Sequence, residues 1–234
     1  MPEPHAQVAG PEEIPKPTPL FEAAVIASLV VAILCLVLFA WLGREMLEGD
    51  TLRFDDAGRS WVHQFASPSM TRTMTIISHM GSRVLIVELV LVFILFACLR
   101  WRRAAIWLAV TMTGALLLEL TLKYAYHRAR PIAFFGIVPN SYSFPSGHAL
   151  TSLCFYGVMA GLLSARIKSL PWRIALWTAA VLLIIAIGLS RIYLGVHYPS
   201  DVLAGYLAAT VWVSAVIVLD HVRKARFSRQ SISK

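Results

Sequence analysis

The run 104-AAIWLAVTMTGALLLELTLK-123 follows Arg102 and Arg103 directly and ends on a lysine. As a helix rising about 1.5 Å per residue, it would extend roughly 30 Å, the thickness of a bilayer's hydrocarbon core. Its one acidic side chain, Glu119, stands a single helical turn before Lys123. The stretch therefore reads as a membrane-spanning helix whose polar groups gather at one end, and the rest of the chain repeats that pattern.

Of the 234 residues, 58% are hydrophobic and 15% charged, and the mean hydropathy is +0.68. Soluble domains are roughly half apolar and a quarter charged. Further apolar runs lie at about 21–42, 82–100, 148–166, 174–190 and 199–221. A weaker run at about 60–79 contains His63, Gln64, Ser67, Pro68, Arg72 and His79, with Met70, Met74 and Ile77 at helical spacing. It reads as short amphipathic helices lying at the interface between the first and second spans. The expected fold is an all-α integral membrane protein with six transmembrane helices in one bundle over residues 21–221. It is flanked by a disordered, proline-rich cytoplasmic tail (1–20) and a basic cytoplasmic tail (222–234). The first twenty residues lack the charged-then-apolar order of a signal peptide, so the first apolar run should remain as an anchor. Cys35, Cys98 and Cys154 all fall within apolar runs, which argues for core filling rather than a disulfide framework or metal site.

The net charge of +8 is interleaved between the spans, so topology explains it better than nucleic-acid binding does. Arg100, Arg102 and Arg103, then Arg166, Lys168 and Arg173, then Arg223, Lys224, Arg226, Arg229 and Lys234 form three basic stretches without acidic residues. The positive-inside rule places these in the cytoplasm together with both termini. Two other segments, 123-KYAYHRARPIAFFGIVPNSYSFPSGH-148 and 190-SRIYLGVHYPSD-201, then face outward. Lys123, Arg128, Arg130 and Arg191 break the charge rule there, and departures from a local rule tend to mark function.

Those outer segments hold Lys123, Arg130, Arg191, His148, His197 and Asp201. Arginine offers paired planar donors to phosphate and lysine a point charge, so the three can neutralise an anionic centre without a metal. One imidazole can attack phosphorus while the other protonates the leaving oxygen. Asp201 follows His197 by four residues, one helical turn, and could hold one ring nitrogen so that the other attacks. Pro145 suits a first helical turn, Gly147 allows close backbone approach, and the amides of a helix N-terminus bind phosphate.

Lys123 to Arg130-Pro131 is K-x6-R-P, Pro145 to His148 is P-S-G-H, and Ser190 to Asp201 is S-R-x5-H-x3-D. In order and spacing these resemble the three signature motifs of the type 2 phosphatidic acid phosphatase and vanadium haloperoxidase superfamily, and the six-span layout resembles its membrane lipid phosphatases. The resemblance implies a metal-independent phosphatase, with no cofactor, working through a phosphohistidine intermediate. His197 would be the nucleophile, Asp201 its partner and His148 the general acid and later base. Lys123, Arg130, Ser146, Gly147 and Arg191 would bind the phosphate.

Two acids inside spans, Glu88 and Glu119, are costly there and so suggest function. Glu119 could orient Lys123 from behind. His127 and Arg128 match no motif position and read as headgroup contacts. The aromatic residues Trp61, Phe65, Tyr124, Tyr126, Phe134, Phe135, Tyr142, Phe144, Tyr193 and Tyr198 read as an interfacial belt.

The expected activity is removal of phosphate from a lipid phosphate or diphosphate at the noncytoplasmic face of a bacterial inner membrane. Undecaprenyl diphosphate is the first choice of substrate, ahead of phosphatidic acid, phosphatidylglycerol phosphate and lipid A. The expected partners are that substrate and membrane lipids. A vanadate-binding haloperoxidase, or a non-catalytic lipid-binding or translocating protein, are the competing readings.

Overall fold

The computed structural model describes residues 19–232 apart from residue 137, with side chains described for 25–223. Residues 1–18 of the expected tail lie outside the described residues, and Pro19 already belongs to the first helix. In chain order the helices are α1 (Pro19–Glu48), α2 (Leu52–His63), α3 (Pro68–Met80), α4 (Arg83–Cys98) and α5 (Arg102–Tyr126). There follow α6 (Gly147–Ser152), a π-helical turn (Leu153–Gly157), α7 (Val158–Ser164), α8 (Leu170–Tyr193) and α9 (Pro199–Ile232). Six segments are long and apolar enough to cross a membrane, α6 to α7 counting as one rod and α3 to α4 as another. The all-helical, six-span expectation therefore holds, and the chain is an integral membrane protein.

The element boundaries follow local chemistry. Helix α1 runs past the end of its apolar stretch because Arg44 and Glu48, one turn apart, pair at 2.8 Å. Ser67 accepts a hydrogen bond from the Met70 amide and Pro68 occupies the first turn, which together start α3. Helix α5 stops at His127, which takes a left-handed conformation with φ 49°. Helix α9 starts at Pro199 and continues to Ile232, through the stretch read as a basic tail.

Helix α9 is the packing axis of the bundle. Ala204, Ala208 and Ala209 are buried against Phe39, Leu42 and Met46 of α1 and against Ala115 of α5. Small residues on one face let neighbouring helices approach closely, as helix pairs in lipid require. Leu34, Val37, Leu91, Leu117 and Leu182 point outward from their spans, as lipid-facing residues should. The cysteines divide: Cys154 fills the core, whereas Cys98 is exposed on the bundle surface. Phe144 and Tyr193 are also not belt residues, being almost wholly buried, Phe144 against Phe39 and Tyr126.

Candidate active site

The C-terminal ends of α5 and α8 and the N-terminal ends of α6 and α9 meet at one end of the bundle. Lys123, His148, Arg191 and Asp201 come from these four ends, and the loops beside them supply Arg130, Ser146 and His197. The three motifs, far apart in sequence, thus converge on one place. Two backbone links lock the loops together. The Ser146 amide donates to the Asp201 carbonyl at 2.9 Å, and the Phe134 amide donates to the Leu194 carbonyl at 3.1 Å. Gly195 makes the second approach possible. Its φ is +75°, and a Cβ there would fall 2.4 Å from the Phe134 nitrogen.

His197 is 1% exposed and lies between a carboxylate and a guanidinium. Its Nδ1 stands 3.3 Å from Asp201 Oδ2, and its Nε2 stands 2.9 Å from Arg130 Nη1. A guanidinium can only donate, so Nε2 is the acceptor and the ring proton sits on Nδ1, facing Asp201. That tautomer leaves the Nε2 lone pair directed away from the carboxylate. Burial pushes the His197 pKa from 6.5 down to about 4. Asp201 pulls the other way, and Arg130 and Arg191 add to the lowering. The ring is therefore neutral at neutral pH.

The spacing of His197 and Asp201 suggested a helical turn, but His197 lies outside the helix. The residue before a proline avoids the helical region, so α9 cannot extend back through Tyr198. Instead Asp201 reaches back from the first turn, with Oδ2 also accepting from the Tyr198 amide at 2.9 Å and from the Ser143 hydroxyl.

Pro145 likewise stands before its helix. Ser146 is extended, with φ −71° and ψ 115°, and acts as N-cap, so helical backbone starts at Gly147. The Ser146 amide is taken by the Asp201 carbonyl, whereas its hydroxyl is buried with no hydrogen-bond partner. Arg191 is similar: Nη1 donates to the Ser78 hydroxyl, while Nε is buried and unpartnered. Buried donors without partners are rare in folded proteins, and both belong to residues expected to hold phosphate. His148 packs against Gly81, where a Cβ would lie 3.1 Å from its Cδ2. Its electrostatic neighbours are Arg191, His197, Lys123 and Arg130.

Lys123 is almost fully buried and pairs with Glu119 at 2.6 Å, the one-turn pairing the spacing suggested. Glu119 also fits against Gly147, so the close approach that this glycine allows is that of a side chain. Arg130 is held by the Ser141 carbonyl at 2.7 Å and the Val196 carbonyl at 2.8 Å. Burial lowers its pKa, against the pull of Asp201 and Glu119. Glu119, Lys123 and Arg130 border a half-polar recess of about 750 Å³ that also reaches Tyr124, Asn140 and Tyr142. Glu88, deeper in the bundle, lies 2.8 Å from the Tyr156 hydroxyl, which also reaches the Met80 carbonyl at 2.9 Å.

Sequence reasoning missed part of this site. Arg128 is not a headgroup contact. Its side chain is 9% exposed and bonds to Asp201 at 2.7 Å and to Asp55 at 2.6 Å. Two fixed carboxylates within reach outweigh the pull of solvent on a long cation, which is why it turns inward. Together Asp201 and Asp55 also outweigh burial and raise its pKa further. Its place among the cations that break the charge rule was the available signal. Asp55, Ser78, Ser141, Ser143 and Ser200 gave none.

Residues 104–225 match the family model described as PAP2 superfamily. An undecaprenyl-diphosphatase of Sulfolobus acidocaldarius is 32% identical over 51% of this chain and 56% of its own length. A phosphatidylglycerophosphatase B of Bacillus subtilis is 32% identical over 59% of this chain and 70% of its own. The chain therefore spans little more than half the length of the first of these relatives. The crystal structure of a transmembrane PAP2 type phosphatidylglycerolphosphate phosphatase from Bacillus subtilis superposes with a TM-score of 0.73 at 26% identity. That match covers 81% of this chain and 95% of the other.

Proposed function

The chain belongs to the PAP2 superfamily, and from that premise we propose that it is a lipid phosphatase in which His197 forms a covalent bond to phosphorus. The observation that carries this reading is the line Asp201–His197–Arg130. It holds a neutral imidazole with its unprotonated nitrogen turned toward a cation that can bind a phosphate oxygen.

In the first step Nε2 of His197 attacks the terminal phosphorus and its bond to the leaving oxygen breaks, the bridging oxygen of a diphosphate or the lipid ester oxygen of a monophosphate. His148 gives that oxygen a proton. The ring of His197, now carrying phosphorus on Nε2 and a proton on Nδ1, is cationic and faces Asp201. In the second step His148 takes a proton from water, the water oxygen attacks phosphorus, and the P–N bond breaks. Lys123, Arg130 and Arg191, with the Ser146 hydroxyl, neutralise charge on the equatorial oxygens as it develops. Glu119 positions Lys123.

The substrate is a lipid phosphate or diphosphate, with undecaprenyl diphosphate as first choice. That choice is supported by the name of the Sulfolobus relative and by a recess beside Lys123 and Arg130 roomier than one phosphate needs. Phosphatidylglycerol phosphate is the second reading, supported by the fold match to a phosphatase of that lipid. Phosphatidic acid and lipid A 1-phosphate complete the candidates. The site faces the noncytoplasmic side, because Arg102, Arg103 and Arg173 lie at the opposite ends of their helices and Arg166 in the loop after α7, at that same end.

The deciding experiment measures phosphate release from these four lipids in detergent, comparing kcat/KM, with chelator and with vanadate. The reading expects vanadate inhibition, indifference to chelator, and no turnover by His197→Ala. Full activity of that variant on any of the four would overturn it.

A further inference from the structure

We propose that Arg128, clamped by Asp55, is a positioning residue for this reaction: it holds one oxygen of Asp201 so that the other stays turned to His197, which makes α2 part of the active site. The inference rests on the reading of His197 as nucleophile and adds two residues that no motif specifies, Arg128 at a variable position of the first motif and Asp55 from α2.

The two oxygens of Asp201 have separate duties. Oδ1 accepts from Arg128 Nη1 at 2.7 Å. Oδ2 receives the His197 ring nitrogen at 3.3 Å, the Tyr198 amide at 2.9 Å and the Ser143 hydroxyl. Without Arg128 the carboxylate could rotate, and both oxygens would compete for the imidazole.

Arg128 is itself constrained on three sides. Its Nη2 donates to Asp55 at 2.6 Å, its Nη1 reaches the Ser200 hydroxyl at 2.7 Å, and its guanidinium carbon lies 4.0 Å from the Tyr198 ring centre. Asp55 is 0% exposed and comes from α2, between the first and second spans. It accepts from the Ser200 amide at 2.9 Å and the Ser200 hydroxyl at 2.7 Å, gripping the first turn of α9 beside Asp201. Gly58 of α2 allows this docking, since a Cβ there would fall 2.7 Å from Pro199 Cγ. Lysine carries one compact charge on a flexible stem and cannot span two carboxylates as a planar guanidinium does.

A purely structural tether between α2 and α9 would use the same bonds, so the test needs readouts that a tether would not move. Arg128→Ala, Arg128→Lys and Asp55→Asn are compared with the unaltered full-length protein in detergent, using whichever of the four lipids it turns over fastest. For Arg128→Ala, kcat should fall about 100-fold with KM changed less than about threefold, the size of effect expected from misplacing a reacting group. Millimolar guanidinium should recover about a tenth or more of the lost activity in Arg128→Ala, and equal sodium chloride or urea should recover none. This is chemical replacement of a missing positioning group.

The acid limb of kcat should also move to higher pH. The charged and titratable groups facing His197 are Asp201 from α9, Arg191 from α8, His148 from α6 and Arg130 from the loop after α5. Removing Arg128 leaves more of the Asp201 charge to favour the imidazolium. Should Arg128→Ala fail to fold, Asp55→Asn keeps the test open, with a smaller fall in kcat and KM again changed less than about threefold.

A folded Arg128→Ala protein with unaltered kcat and acid limb would overturn the proposal. So would activity lost only in proportion to folded protein, without guanidinium recovery. Labelling the unaltered protein with radioactive phosphate separates the two levels. If it forms no phosphohistidine at position 197, the underlying reading fails whatever Arg128 does.

Discussion

The carboxylate of Glu119 lies against Gly147, so close that a Cβ on residue 147 would fall 2.0 Å from Oε1. The same oxygen accepts from Lys123 Nζ at 2.6 Å. The glycine of the P-S-G-H motif thus makes room for the side chain that fixes the lysine of the first motif. Gly147→Ala should push Glu119 aside, release Lys123 and lower kcat/KM by about 100-fold, the scale of a displaced binding group. Glu119→Ala should remove the clash, so the double variant should lose less than the sum of the two single losses in free energy. A double-mutant cycle on kcat/KM measures this coupling, and additivity would show that the two residues act separately.

Protonation of His197 gives a second prediction. The group titrates near 6.5 when unperturbed and near 4 in the folded protein. Nε2 is therefore available throughout the neutral range, and protonation should remove the nucleophile only as pH falls toward 4. The unfolded chain takes up this proton near 6.5 and the folded chain does not. Native stability is thus intact above about pH 6.5 and falls by about 3 kcal/mol as pH drops to 4. Labelled-histidine NMR should find this ring titrating low, and Arg130→Gln, which removes one lowering cation, should move it upward. A ring titrating at 6.5 in the intact protein would contradict the buried environment described for it.

The two histidines should separate when the leaving group is changed. An aryl phosphate leaves without a proton, so His148→Ala should still transfer phosphate from it to His197. Hydrolysis of the phosphohistidine should then be slower by about 100- to 10,000-fold, the usual worth of general base catalysis. His197→Ala should take up no label from either an aryl or a lipid phosphate. Rapid-quench labelling distinguishes the two variants, and equal labelling of both would contradict the assigned roles.

The spans were legible because a helix in lipid must be apolar over its full length, as at 104–123. The motif residues were legible because Lys123, Arg130 and Arg191 are cations where charge bias opposes them. Asp55 was not legible: among the mixed charges of 43–81 nothing marks it, and only the docking of α2 on Pro199 buries it. Arg128 carried the signal of a misplaced cation, but its partners come from α2 and α9, and sequence periodicity does not report such contacts. Pro145 reads as a first helical residue from its type and His197 from its spacing to Asp201, yet the helices start at Gly147 and Pro199. For His197 the reason is Tyr198, which precedes a proline and so avoids the helical region.

Gly114 and Trp212 provide a test of the scaffold apart from the chemistry. A Cβ on Gly114 would fall 1.9 Å from Cζ2 of the Trp212 ring, whose Nε1 donates to the Thr111 carbonyl at 2.9 Å. The ring is wedged between α5 and α9, so α9 cannot yield without disturbing its contacts with α1. Gly114→Ala should destabilise the protein by about 1–3 kcal/mol, the usual penalty of overpacking a close-packed interior. The thermal midpoint in detergent should fall by several degrees. Gly114 lies more than two helical turns from Lys123, so kcat per folded molecule should stay near the unaltered value. Loss of activity without loss of thermal stability would show instead that the α5–α9 contact transmits to the site.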